Sequence, residues 1–168
     1  MIDALRISRQ DGDFVLESRL RLERPRSEVF PFFADTGNLD ALTPPWLHFR
    51  ILTPRPIEMR VGTFIDYRLR IHGIPLAWRS EITAYDPPHR FVDEQRRGPY
   101  RSWRHEHLFS ETGEGTLIED RVRYRTWGGP LVHALLVRRD LEGIFRFRRE
   151  RLRERLDPSG SRAATGAV

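Results

Sequence analysis

The 168-residue chain has no lysine and no cysteine: all 29 of its basic residues are arginine, set against 24 acidic ones. Without lysine there is no Schiff base, no lysine general base and no P-loop lysine to reach a terminal phosphate. Without cysteine there is no thiol nucleophile, redox dithiol, thiolate zinc site, iron–sulfur cluster or disulfide. Acid–base or metal chemistry falls to six histidines, the carboxylates, the hydroxyls and the backbone. Long apolar runs are also missing. The longest purely apolar stretch in the C-terminal helical region is Ala134–Val137, far short of a membrane span. The start, Met1 to Arg6, has neither a signal pattern nor a cleavage site, so a cytoplasmic protein is the expectation. A codon bias toward GC-rich DNA is the simplest source of an all-arginine complement.

What is present suits a single domain over residues 1–156, which would bury roughly 70% of the unfolded chain's surface. Net charge is +5, and its location matters. Residues 127–168 hold nine arginines and five acids, while residues 1–126 hold twenty against nineteen. The excess is local, and no basic stripe interleaved with aromatics accompanies it, which argues against a nucleic-acid partner. The arginines of the C-terminal segment read as a solvated, partly salt-bridged helix face, with Glu142–Arg146 as an i, i+4 pair. Peripheral contact with an anionic membrane surface stays open.

From Phe14 to Glu23 apolar and polar residues alternate, the mark of a half-buried strand. Ser27–Asp35 forms a short helix in which Pro31 belongs to the first turn, and Leu39–Leu42 a second helical turn before Pro44-Pro45. Strands follow at 49–53, 63–72, 76–85, 90–96, 101–110 and 116–126, joined by short turns. After Gly128-Gly129-Pro130 the period becomes helical, with Leu131, Leu135, Leu141, Ile144, Phe145, Leu152 and Leu156 on the apolar side. That helix of about 25 residues is long enough to cross a sheet. Residues 157–168 read as a flexible tail. The fold class is α+β: a curved antiparallel sheet of about seven strands wrapped around the long C-terminal helix, with two short helices after the first strand.

Such a sheet leaves a cavity against its helix, lined by inward strand residues. Strand parity turns Tyr67, Trp78, Asp93, Gln95, Trp103, His105, His107, Asp120 and Tyr124 inward, too polar a set for a dry core. His105 and His107, two apart on one strand, share a face, with Asp120 on the next strand. Three readings compete. The pair could belong to a hydrogen-bond network with Asp93, Gln95, Asp120 and Tyr124, or offer polar contacts to a bound small molecule. The third reading, a two-histidine, one-carboxylate metal site, lacks a further ligand at telling spacing. Neither a metal nor a cofactor is assigned. A β-bulge would invert part of this parity.

These stretches resemble a known family. The order of elements is similar to the START-type helix-grip fold and, within it, to bacterial polyketide cyclase/dehydrase and SRPBCC ligand-binding proteins. The resemblance rests on Val29-Phe30-Pro31-Phe32-Phe33, Leu42-Thr43-Pro44-Pro45-Trp46, Phe91-Val92-Asp93-Glu94-Gln95, Gly98-Pro99-Tyr100 and Trp103-Arg104-His105-Glu106-His107, and covers about residues 12–156. It implies a cavity for a hydrophobic small molecule or lipid, lined by the inward residues named above. Trp78, Trp103 and Tyr67 would pack on the ligand, and His105, His107, Gln95, Asp120 and Tyr124 would orient it. The wider superfamily includes lipid carriers, aromatase/cyclases and pure binding modules. A cyclase- or dehydratase-type lyase or isomerase, with a histidine as base and Tyr124 donating to an oxyanion, is therefore the alternative expectation.

Overall fold

Antiparallel strands joined mostly by short connections frame the molecule, whose computed structural model describes residues 3–113 and 115–157. Its elements are β1 (Ala4–Gln10), β2 (Asp13–Leu22), α1 (Arg26–Ala34), β3 (Arg50–Ile51), β4 (Phe64–Ile71), β5 (Ile74–Asp86), β6 (Arg90–Arg97), β7 (Ser102–Thr112), β8 (Gly115–Arg125), α2 (Gly129–Val132) and α3 (Arg138–Leu156). They make one eight-stranded antiparallel sheet in the order β1-β2-β8-β7-β6-β5-β4-β3. The first strand is one that the alternation from Phe14 onward does not reveal. β1 is an edge strand whose residues are exposed or half-buried, so its periodicity carries little contrast. Asp11 (φ 51°) and Gly12 (φ 86°) turn it into β2, both in the left-handed region that a tight hairpin turn needs.

The helical segment after β2 differs in detail from expectation. Pro31 is the sixth residue of α1, in its second turn, where its missing N–H leaves the first turn without one bond. Leu39–Leu42 is not helical. Instead, 3-10 turns form at Thr36–Asn38 and Pro45–Leu47. The cause is local: Asp35 Oδ1 accepts from Gly37 N at 2.8 Å, Thr43 Oγ1 donates to Leu39 O at 2.7 Å, and Pro44-Pro45 ends any helix.

The C-terminal helix runs through α2, a π-helical turn (His133–Val137) and α3. Its buried face is His133, Leu141, Phe145 and Leu152. Leu131 and Leu135 do not belong to it and are 69% and 67% exposed. The wider π turn brings His133, Val137 and Leu141, four apart, onto one line, and that turns Leu131 and Leu135 outward. Glu142 pairs with Arg138 at 2.9 Å rather than with Arg146. The helix end is fastened to the end of β2: Arg24 Nε donates to Leu156 O (2.8 Å) and Glu23 N donates to Asp157 Oδ2 (3.2 Å). Asp157 is buried; the rest of the expected tail, 158–168, lies outside the described residues. No helix among the described residues is long and apolar enough to cross a membrane.

Between sheet and helix the core falls into two apolar clusters. One holds Leu20, Leu22, Phe30, Phe33, Phe109 and Leu152; the other holds Leu16, Val122, Tyr124, Leu141 and Phe145. The clusters meet at a polar belt, which carries the site.

Candidate functional site

Strand register builds the belt. Ser18 on β2 faces Asp120 on β8, Asp120 faces His107 on β7, and His105 faces Asp93 on β6. Directly opposed residues of antiparallel strands point to the same side, so all of these enter the interior together. On each element the belt interrupts an apolar run: Ile118, Asp120, Val122 on β8, and Phe145, Arg148, Leu152 on α3. A cavity of about 210 Å³ adjoins it, lined by the sheet, α3 and the segment 32–47.

The two imidazoles stack tilted, ring centres 3.8 Å apart, and each lies between both carboxylates. His105 Nε2 is 3.1 Å from Asp120 Oδ1 and its Nδ1 is 3.7 Å from Asp93 Oδ2. His107 Nε2 is 3.2 Å from Asp93 Oδ2. Its Nδ1 is 2.8 Å from Asp120 Oδ1, an ion-pair contact lying off the hydrogen-bond direction. Arg148 Nε stands 4.0 Å from Asp120 Oδ2 and has no hydrogen-bond partner, while its guanidinium lies over the Phe33 ring at 5.3 Å.

Burial alone would raise Asp120, but the charge of Arg148 and the bonds from both histidines hold its carboxyl well below the usual range. Asp93 is also lowered: burial opposes, and the His107 bond with the charges of His105, His107 and Arg148 outweighs it. The histidines move apart. Burial and the neighbouring His107 push His105 down, whereas the close Asp120 carboxylate and the bond to Asp93 lift His107 against its own burial. The two rings are thus displaced in opposite directions, His107 toward the protonated form and His105 toward the neutral one.

Next to this cluster Ser80 uses its full hydrogen-bonding capacity. Its hydroxyl accepts from Trp78 Nε1 at 3.1 Å and donates to Asp93 Oδ1 at 3.4 Å. Its one proton is thus committed, so the Tyr67 hydroxyl, 3.1 Å away, donates to it. Burial, then the Asp93 charge, raises the Tyr67 phenol well above its ordinary value and keeps it protonated.

Of the residues singled out from sequence, Tyr67, Trp78, Asp93, Trp103, His105 and His107 line the cavity. Asp120 lies behind the histidines. Gln95 clamps the β6–β7 loop, with Nε2 donating to Tyr100 O (2.7 Å) and Oε1 accepting from Tyr100 N (3.2 Å). Tyr124 is fully buried with its hydroxyl 2.9 Å from His133 Nε2, on the side of the π turn. Register shifts interrupt the β5–β6 pairing at Arg79/Ser80 and at Ile82/Ala84, yet Trp78, Ser80 and Ile82 all line the cavity.

Arg148 was not separated by the sequence from its solvated neighbours. The signal was there: 141, 145, 148 and 152 are one helical stripe, so an arginine at 148 sits in the buried face. Tyr100 was missed for another reason, since a loop residue has no periodicity to read. Asp93, His105 and His107 together could hold a cation, with one donor atom from each lying within 4.8 Å of the others.

The chain matches, over residues 14–157, the family described as polyketide cyclase / dehydrase and lipid transport. No curated protein matches it in sequence. Similar folds occur in protein Ms6760 from Mycobacterium smegmatis (17% identity, TM-score 0.64, covering 89% of this chain and 95% of that one). Protein CV1439 from Chromobacterium violaceum is similar too (14%, 0.68, 86% and 98%). So is ginseng major latex-like protein 151 from Panax ginseng (13%, 0.63, 84% and 96%). At these identities the likeness concerns the fold: a helix gripped by a curved antiparallel sheet. Together with the match across nearly the whole chain, it places this protein in the polyketide cyclase / dehydrase and lipid transport family.

Proposed function

We propose that the protein binds a hydrophobic small molecule or lipid between the sheet and α3, with its polar end on the Asp93–His105–His107–Arg148 cluster. The observation that carries this is the asymmetry of the cavity. Its walls are apolar through Phe33, Leu42, Ile65, Trp78, Trp103 and Leu141; the charged groups Asp93, His105, His107 and Arg148 gather at its inner end, while Asp35, Thr36, Asn38 and Thr43 lie along the 32–47 segment. A ligand with an apolar body and one polar end matches that distribution. The family description, which includes lipid transport, supports the same reading. Native mass spectrometry of purified protein, with titration by the fluorescent apolar probe 1-anilinonaphthalene-8-sulfonate, tests it. A co-purifying apolar species, or saturable probe binding lost in Trp103→Arg, is expected. A protein that unfolds cooperatively yet takes up neither sinks the proposal.

A second reading is a cyclase- or dehydratase-type enzyme, favoured by the opposite displacement of the His105 and His107 protonation equilibria. Adjacent groups pushed apart in this way form an acid–base pair. Neutral His105 would take a proton beside a substrate carbonyl, and His107 or the Tyr67 hydroxyl would donate to the developing oxyanion. Under this reading His105→Ala abolishes turnover and leaves binding intact; equal turnover in that variant removes it.

A further inference from the structure

We infer that the polar end of the cavity is a binding site for a first-row divalent cation, held by Asp93, His105 and His107 and backed by Asp120. Donor spacing is the first argument. A metal 2.0–2.2 Å from nitrogen and oxygen ligands places neighbouring donors about 3 to 3.5 Å apart. Asp93 Oδ2 lies 3.2 Å from His107 Nε2 and 3.7 Å from His105 Nδ1. Small side-chain shifts bring these three atoms around one ion.

Second, one outer nitrogen, that of His105, is already oriented by a hydrogen bond. His105 Nε2 and His107 Nδ1 both lie against Asp120 Oδ1, at 3.1 and 2.8 Å. A carboxylate behind each ligating imidazole fixes which nitrogen keeps its proton and which offers a lone pair. Asp120 does this for His105, leaving its Nδ1 toward Asp93, while His107 Nε2 meets Asp93 Oδ2 through its own contact at 3.2 Å. Asp120 is itself balanced through its other oxygen by Arg148, 4.0 Å away.

Third, the charges are complementary. Two buried carboxylates against one guanidinium leave the belt one negative charge in excess once both imidazoles are in the neutral form that ligates a metal, the proton favoured on His107 being displaced. A divalent ion reverses that sign and would draw an anionic or carbonyl oxygen of the ligand onto the metal. Asp93, His105 and His107 line the cavity and Asp120 does not, so the remaining coordination positions open toward the ligand space. Three protein ligands with open positions are the arrangement of a reactive metal site rather than a structural one.

This inference rests on the cavity being a ligand site, and one set of samples separates the two. Co²⁺ is titrated into chelator-treated, tag-free, full-length protein, followed by visible absorption and equilibrium dialysis, with the apolar probe measured alongside. One bound equivalent is expected. Affinity should fall about 10- to 100-fold in Asp120→Asn, fall further in Asp93→Asn and His105→Ala, and stay unchanged in His72→Ala and His89→Ala. Near-UV circular dichroism checks that each variant is folded, and the wild-type titration needs no variant. No stoichiometric Co²⁺ on protein that still binds the probe overturns the metal site alone, as does undiminished Co²⁺ binding by folded His105→Ala. Loss of both activities in native protein overturns the metal site together with the cavity reading.

Discussion

A guanidinium in the middle of a protein core needs an opposite charge and apolar cover for its stem, and Arg148 has both in Asp120 and the Phe33 ring. With its side chain 11% exposed and Asp120 at 5%, solvent screens this pair little. Arg148→Met keeps the length and removes the charge, leaving Asp120 beside two histidines alone. Urea unfolding should show a loss of roughly 3 kcal/mol, the scale for stripping one partner from a buried pair. Asp120→Asn added to Arg148→Met should recover part of it; strict additivity would mean that the two do not interact. His133 yields a pH prediction of definite sign. Burial and the charge of Arg138 lower its pKa, so the folded protein resists protonating it while the unfolded chain protonates near 6.5. Stability attributable to this group is complete above that value and declines as pH falls toward the depressed folded pKa. His133→Gln, able to keep a bond to the Tyr124 hydroxyl, should flatten this part of the pH–stability curve. Parallel wild-type and variant curves would refute the assignment.

At the scale of elements, the start of β8 is held by a single backbone conformation. Gly115 has φ 140°, and a Cβ there would lie 2.1 Å from Leu22 O and 2.9 Å from Glu23 Cα. Neither is a flexible side-chain tip. Gly115→Ala should therefore cost about 2 kcal/mol or more in denaturant unfolding, and the β2–β8 pairing should show the earliest amide exchange. The elements also show what the sequence could convey. Strands β4 to β8 were legible because one face is buried and one is wet, so each alternates. The edge strand β1, half exposed throughout, had only Asp11-Gly12 to announce it. The candidate cluster was legible where it lay on such strands, as with Asp93, His105 and His107, which the strand pairing brings together. It was not where a side chain's role depends on a long-range neighbour. Tyr124 shares the parity of Asp120, yet its hydroxyl is turned to His133 on another element. The π turn had no signature in a window read for ordinary helical spacing, so Leu131 and Leu135 were assigned to the wrong face.

Over the whole molecule, the all-arginine complement is put to work on the outer face of the sheet. Arg79 grips Asp66 through two bonds, Nε to Oδ1 at 2.7 Å and a terminal nitrogen to Oδ2 at 2.8 Å, a fork that lysine cannot make. Arg96 reaches both Glu81 and Glu94, and Arg104 reaches Glu94 and Glu106. Such exposed pairs contribute little each, about 0–1 kcal/mol. They lace the strands and leave the inner face free for another purpose. That purpose has a thermodynamic consequence. The space between sheet and α3 leaves about 210 Å³ that no side chain fills, and apolar surface facing water there contributes nothing to folding. On the proposed reading a bound ligand would complete that part of the core, and melting temperature would report any molecule that does so.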